Sequence, residues 1–125
     1  MRTETEDLTG LSDRYVAVWH EPDEARRRAI IESLWVPDGC HYSPTLEAHG
    51  YEELAARILR SHERWVIEEG CIFRRVGDVL EHHRTATFSW EMLAREGGDA
   101  ISEGRDFFLL APDGRLQAVY QYVLR

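Results

Sequence analysis

The sequence predicts an α+β domain in which three helices precede an antiparallel sheet, and two textures of the chain predict it. Up to about residue 65, apolar residues recur at intervals of three and four, the period of helices with one buried face. From residue 71 onward, apolar-rich segments are separated by turn sequences such as "REGGD" and "APDG". Helices followed by strands is the order of an α+β domain rather than of alternating parallel units. No repeat, linker or low-complexity stretch interrupts the 125 residues, so 1–125 reads as one domain.

Each element has its own signal. Leu8, Leu11, Tyr15, Val18 and Trp19 form one helical face between Asp7 and His20. "EPDE" ends that helix and starts another, with Pro22 suited to a first turn and Asp23 and Glu24 to its positive end. The second helix carries Ala25, Ala29, Ile30, Leu34 and Trp35 and stops at Pro37–Gly39. "CHYSP" predicts a short strand closed by Pro44, and a polar loop leads to Gly50. A third helix is expected from about Tyr51 to Trp65, its inner face holding Tyr51, Leu54, Ala55, Ile58, His62 and Trp65. The segments 71–83, 84–95, 100–111 and 115–124 then read as four strands.

Composition excludes several classes. A net charge of −8 argues against a polyanion partner, because phosphate contacts need clustered cations, so no nucleic acid is expected. The basic run Arg26–Arg28 would fan around a helix as a solvated surface. The longest uninterrupted apolar run is Phe107 to Ala111, too short for a membrane span. Cys40 and Cys71 fit reduced thiols, and the polar, acidic first residues lack the apolar core of a signal peptide, so a cytoplasmic location is expected. His82 and His83 look like a metal pair, but adjacent strand residues point to opposite faces. No HExxH or paired CxxC occurs, so neither metal nor cofactor is expected.

The order of elements, with "LWVPDG" before the first strand and "DGRLQAVYQYV" as the last, resembles the NTF2-like superfamily and most of all its SnoaL-like proteins. The resemblance covers about Asp7 to Leu124 and implies a strongly curved sheet wrapped around helices as a cone with an internal pocket. Relatives of this fold include ketosteroid isomerases, polyketide cyclases, epoxide hydrolases, dehydratases and proteins that only bind a partner, so the fold leaves the activity open. In ketosteroid isomerases a tyrosine of the first helix and a protonated aspartic acid of the sheet form an oxyanion hole. Tyr15 in "DRYVAVW" and Asp106 in "GRDFFLL" fall at those places. The isomerase base does not carry over, since Ser43 stands where its aspartate would be. The catalytic set of the epoxide hydrolases is also missing, its places holding Phe88, Trp90 and Gln121. Both activities proper are therefore disfavoured.

Strand alternation groups the remaining candidates. An inward Asp106 would share its face with Phe108 and Leu110; otherwise it is an exposed strand start or a partner of Arg105 or Arg84. The expected pocket lining is Tyr15, Trp19, His41, Ser43, Phe88, Trp90, Asp106 and Gln121, with Ile58, His62 and Trp65 nearer the mouth. His41 is the candidate proton carrier beside Tyr15 and Asp106, and His49 a weaker one. The remaining polar and aromatic members would bind a small, largely apolar molecule. Three readings stay open: proton-transfer chemistry on a small carbonyl compound, as in isomerisation, cyclisation or dehydration; a non-catalytic binding module; and a homodimeric interaction domain. The last would use Phe107, Leu109, Tyr120 and Tyr122 on the outer face of the sheet.

Overall fold

A computed structural model describes residues 4–125, with side chains from Leu8 onward. Helix α1 (Glu4–Val18) and helix α2 (Glu24–Leu34) lead into strand β1 (Trp35–Tyr42) and the short strand β2 (Glu47–His49). Helix α3 (Gly50–Ser61) runs on through a wider π-helical segment, His62–Glu68, before β3 (Cys71–His82), β4 (Thr85–Ala94), β5 (Ser102–Leu110) and β6 (Leu116–Val123). No helix of the described residues is long and apolar enough to cross a membrane.

The six strands form one curved sheet in the order β2-β1-β6-β5-β4-β3. The predicted meander from β3 to β6 is antiparallel throughout, but β1 pairs with β6 in parallel, so the sheet is mixed. Register shifts interrupt β3 between Val76 and Leu80 and β5 between Leu109 and Leu110, and such bulges bend strands toward a closed side. The helices sit on that side. His20 ties the end of α1 to the sheet: its Nδ1–H donates to the Val16 carbonyl at 3.0 Å, and its Nε2 accepts from the Phe73 amide at 2.9 Å.

Five expectations change. The second helix ends at Leu34 rather than at Pro37–Gly39, because Trp35 pairs with Leu116 of β6 and opens β1. Helix α2 buries Arg27, Ile31 and Leu34 rather than Ala25 and Ala29, because the larger side chains remove more apolar surface from water. Arg27 therefore leaves the solvated cluster, and its guanidinium donates to the Glu21 carbonyl at 2.7 Å. The polar loop before Gly50 contains β2, whose Ala48 is buried opposite His41. Finally, His83 and Arg84 form the β3–β4 turn, both at positive φ as a type I′ hairpin requires. Outside the strand, His83 swings its ring beside His82, the two Nδ1 atoms 3.2 Å apart.

The core is built from Ile31, Leu34, Trp35, Leu54, Ile58, Phe88, Phe108 and Leu116. Gly104 of β5 pairs with Trp90 of β4, and the indole lies against the glycine backbone so closely that a Cβ would strike the ring and the Tyr122 carbonyl. Gly104→Ala should therefore displace Trp90 and cost about 1–3 kcal/mol, the usual penalty for overpacking. Urea denaturation checks this; an unchanged midpoint would show that the indole is free to move.

Candidate functional site

A cavity of about 730 Å³ opens between α1, α3 with its π-helical extension, and the concave face of the sheet. The lining is mostly apolar and aromatic, including Trp19, Trp65, Phe73, Phe88 and Trp90. Asp106, on the inward face of β5, is 1% exposed. Tyr15 projects from α1 and donates its hydroxyl to Asp106 Oδ2 at 2.6 Å. Trp90 Nε1–H donates to Oδ1 at 2.8 Å, and the Gln121 side chain, opposite Asp106 on β6, hydrogen-bonds the same carboxyl. The alternatives of an exposed carboxylate or a pair with Arg105 fall away: Arg105 bonds Thr87 and Ser89 instead.

Burial pushes the Asp106 carboxyl up to about 6, even though the hydrogen bonds from Tyr15, Trp90 and Gln121 and the charge of Arg57 pull it down. Burial, followed by the charge of Asp106, likewise holds the Tyr15 phenol well above its usual range. Both groups are therefore more reluctant to carry negative charge than they would be in water.

His41 lies behind Tyr15 and does not line the cavity. Its Nε2 is 3.1 Å from the Tyr15 oxygen, while its buried Nδ1 has no hydrogen-bond partner. Burial, with Arg57 adding repulsion, lowers its pKa to about 3, so the ring is neutral. Since Tyr15 gives its proton to Asp106, the His41 hydrogen sits on Nε2 and points at the phenol oxygen. A proton leaving His41 for the cavity would have to cross Tyr15.

The other candidates divide. Trp19, Ser43, Phe88, Trp90, Gln121 and Trp65 line the cavity, with Ser43 also turned into its own loop through hydrogen bonds with Leu46. Ile58 is packed in the core and His62 is buried, its Nδ1–H donating to the Trp19 carbonyl at 2.9 Å; neither reaches the lining. His49 lies outside it too, held by Glu47 and Cys40. The unforeseen members include Arg57, Arg60 and Arg64 of the helical wall. Their three- and four-residue spacing was visible, but it borders the apolar stripe of α3 and reads as an ordinary solvent edge.

Among solved structures, a candidate isomerase of the SnoaL-like family from Agrobacterium tumefaciens str. C58 superposes with a TM-score of 0.83 at 25% identity, over 92% of this chain and 95% of that one. The fold is SnoaL-like, within the NTF2-like superfamily. An NTF2-like protein of unknown function from Exiguobacterium sp. 255-15 matches with a TM-score of 0.69 at 18% identity, over 90% and 97% of the two chains. A candidate polyketide cyclase from Sinorhizobium meliloti matches with a TM-score of 0.71 at 11% identity, over 95% and 99%. No family model matches the sequence, and no curated protein does. At the lower identities the likeness carries the SnoaL-like fold and nothing of the chemistry, which must come from the residues of the cavity.

Because the folded state holds the Asp106 proton more tightly than the unfolded chain, this group stabilises the protein fully below about pH 4. That stabilisation is lost as pH rises through about 6. The two-unit difference amounts to roughly 3 kcal/mol. Asp106→Asn should flatten the fall in stability between pH 4 and 7 that the parent protein shows in chemical denaturation. An identical slope in both proteins would mean that Asp106 is ionised throughout.

Proposed function

We propose that this protein binds a small, largely apolar carbonyl compound and polarises its oxygen through Tyr15, with Asp106 and His41 acting behind that hydroxyl. The observation that carries the reading is the hydrogen-bond chain itself: Asp106 Oδ2, the Tyr15 oxygen and His41 Nε2 lie in sequence at 2.6 and 3.1 Å. With Asp106 ionised, the phenol proton is spent on the carboxylate. Once Asp106 is protonated, its O–H donates to the Tyr15 oxygen, which goes on accepting from His41, and the phenol O–H is released toward the cavity. Two donors into one phenol oxygen strengthen its own O–H as a donor, and a water-poor site magnifies the effect. Oxygen charge developing in an enolate would be stabilised there, which fits isomerisation, cyclisation or dehydration chemistry. His41 is thus a positioning residue rather than the base.

A second reading is favoured by one feature of the lining: among the described residues it contains no carboxylate besides Asp106 and no histidine. Such a pocket can sequester a carbonyl ligand without turning it over. A rate that follows the titration of Asp106 belongs to catalysis, whereas tight binding with no turnover across that range belongs to sequestration.

The outer face of the sheet supports a homodimer as part of the proposal. Phe107, Leu109, Tyr120 and Tyr122 are 40 to 53% exposed there, and Phe107 and Tyr120 are direct cross-strand neighbours, so the apolar strip is continuous. Sedimentation at micromolar concentration should give twice the chain mass; a monomer would remove the dimer from the proposal.

Optical titration with nitrophenols tests the central reading. A bound nitrophenol should ionise at lower pH than the free one, because a negative oxygen is held by the Tyr15 hydroxyl. Tyr15→Phe should weaken that stabilisation on the order of 100-fold, the usual cost of one lost oxyanion donor. Equal phenolate binding by Tyr15→Phe and the parent protein would remove Tyr15 from the site.

A further inference from the structure

Among the described residues the charge of Arg57 meets no ion-pair partner, only the face of Trp19 and the longer-range field of Asp106 and Tyr15. Arg57 projects from α3 into the cavity, its guanidinium carbon 5.2 Å from the centre of the Trp19 ring. It makes no ion pair or hydrogen bond with the described residues, and its Nε is fully buried without a partner. A guanidinium carries five N–H donors and stays charged in any protein, so a half-buried one whose Nε–H is shut away from water without an acceptor is costly. Asp106 does not meet the need: its two oxygens already accept from Tyr15, Trp90 and Gln121, and it makes no hydrogen bond to Arg57.

The surrounding charge points the same way. Arg60 and Arg64 continue the line of Arg57 along the helical wall, and Arg125 stands at the cavity edge from the end of the chain. Arg64 and Arg125 are paired with Glu69 and Glu103, while Arg60, like Arg57, has no ion-pair partner among the described residues. The chain has 23 acidic and 15 basic residues, yet among the described residues four basic ones line this cavity and one acidic one does. A cationic recess in an anionic protein concentrates small anions while the rest of the surface repels them.

We infer that the ligand of this cavity is an apolar carboxylate, an oxo-acid rather than a neutral ketone, whose carboxylate is taken by the free guanidinium fork of Arg57. The planar fork matches a carboxylate in two parallel hydrogen bonds, and the Trp19 ring lies beneath the guanidinium. Tyr15 packs against the same Trp19, ring centroids 5.9 Å apart, so Arg57 and the polarising hydroxyl address neighbouring parts of one molecule. The apolar remainder would lie over Phe88, Trp90 and Phe73 toward Trp65. This inference rests on reading the cavity as a small-molecule site, but it does not need Tyr15 to act as an oxyanion donor.

The test is a matched pair of probes, 4-phenylbutyrate and its primary amide, titrated against the intact protein at pH 7.5 and followed by tryptophan fluorescence and calorimetry. The carboxylate should bind at least about tenfold more tightly than the amide, as a charge-assisted fork requires. Arg57→Met should bring the two affinities together, and Arg57→Lys, which keeps the charge without the fork, should retain part of the difference. Equal affinities in the parent protein, or a preference that persists in Arg57→Met, would overturn the assignment. If Arg57→Met does not fold, the parent ratio and the Arg57→Lys protein decide the matter. The Tyr15→Phe protein separates this inference from the oxyanion reading: carboxylate preference that survives there upholds Arg57 even if the nitrophenol titration fails.

Discussion

The Asp106 carboxyl, taken out of water and surrounded by three side-chain donors, is the constraint on which the rest of the site depends. Each donor comes from a different element: Tyr15 from α1, Trp90 from β4 and Gln121 from β6. Meeting the needs of one buried group thus fixes the first helix against three adjacent strands. An unmet buried carboxyl would cost several kcal/mol, so the arrangement is specified strongly by a few residues. Trp90 reaches its acceptor because Gly104, opposite it on β5, leaves room for the indole. The bulged strands supply the curvature that lets a helix and the sheet converge on one point.

The same constraint shapes the electrostatics of the cavity. Asp106 and Tyr15 are each disfavoured as anions, while Arg57 stands nearby with no ion-pair partner among the described residues and His41 is kept neutral behind the phenol. The site can accept a proton near neutrality and offers positive charge to whatever enters. In the proposed function these are two halves of one recognition event, a hydroxyl for a carbonyl oxygen and a guanidinium for an anionic group. The arrangement differs from a simple pair of donors aimed at the ligand, because Asp106 acts chiefly on Tyr15.

Much of the fold was legible in the chain. The 3.6-residue period of Leu8, Leu11, Tyr15 and Val18 marks α1, and the turn-bounded apolar runs mark β3 to β6, because periodicity is set by which face is buried. The departures arise where tertiary context overrides local pattern. Trp35 belongs to β1 because it pairs with Leu116 of β6, far away in sequence, and residues 36–39 span the register shift before pairing resumes at Cys40. His83 and Arg84 give no turn signal, since neither is the glycine, asparagine or aspartate that marks such a hairpin, yet the hairpin holds both at positive φ. Within the site, the inward setting of Tyr15 follows from the helical period of α1, and that of Asp106 from the family resemblance, which strand alternation extends to Phe108. The seclusion of His41 and the free guanidinium of Arg57 do not, because both depend on which partners a side chain lacks, and sequence patterns carry no record of a missing partner.

The most direct measurement is the titration of the Asp106 carboxyl itself, followed through its ¹³Cγ chemical shift in protein labelled at aspartate and assigned by comparison with Asp106→Asn. The expected midpoint is near 6, about two units above an ordinary aspartate. In Tyr15→Phe, where a donor to the carboxylate is lost, that midpoint should rise further. A midpoint at or below 4, unmoved by the loss of the Tyr15 hydroxyl, would show an ordinary ionised carboxylate and contradict the account at its centre.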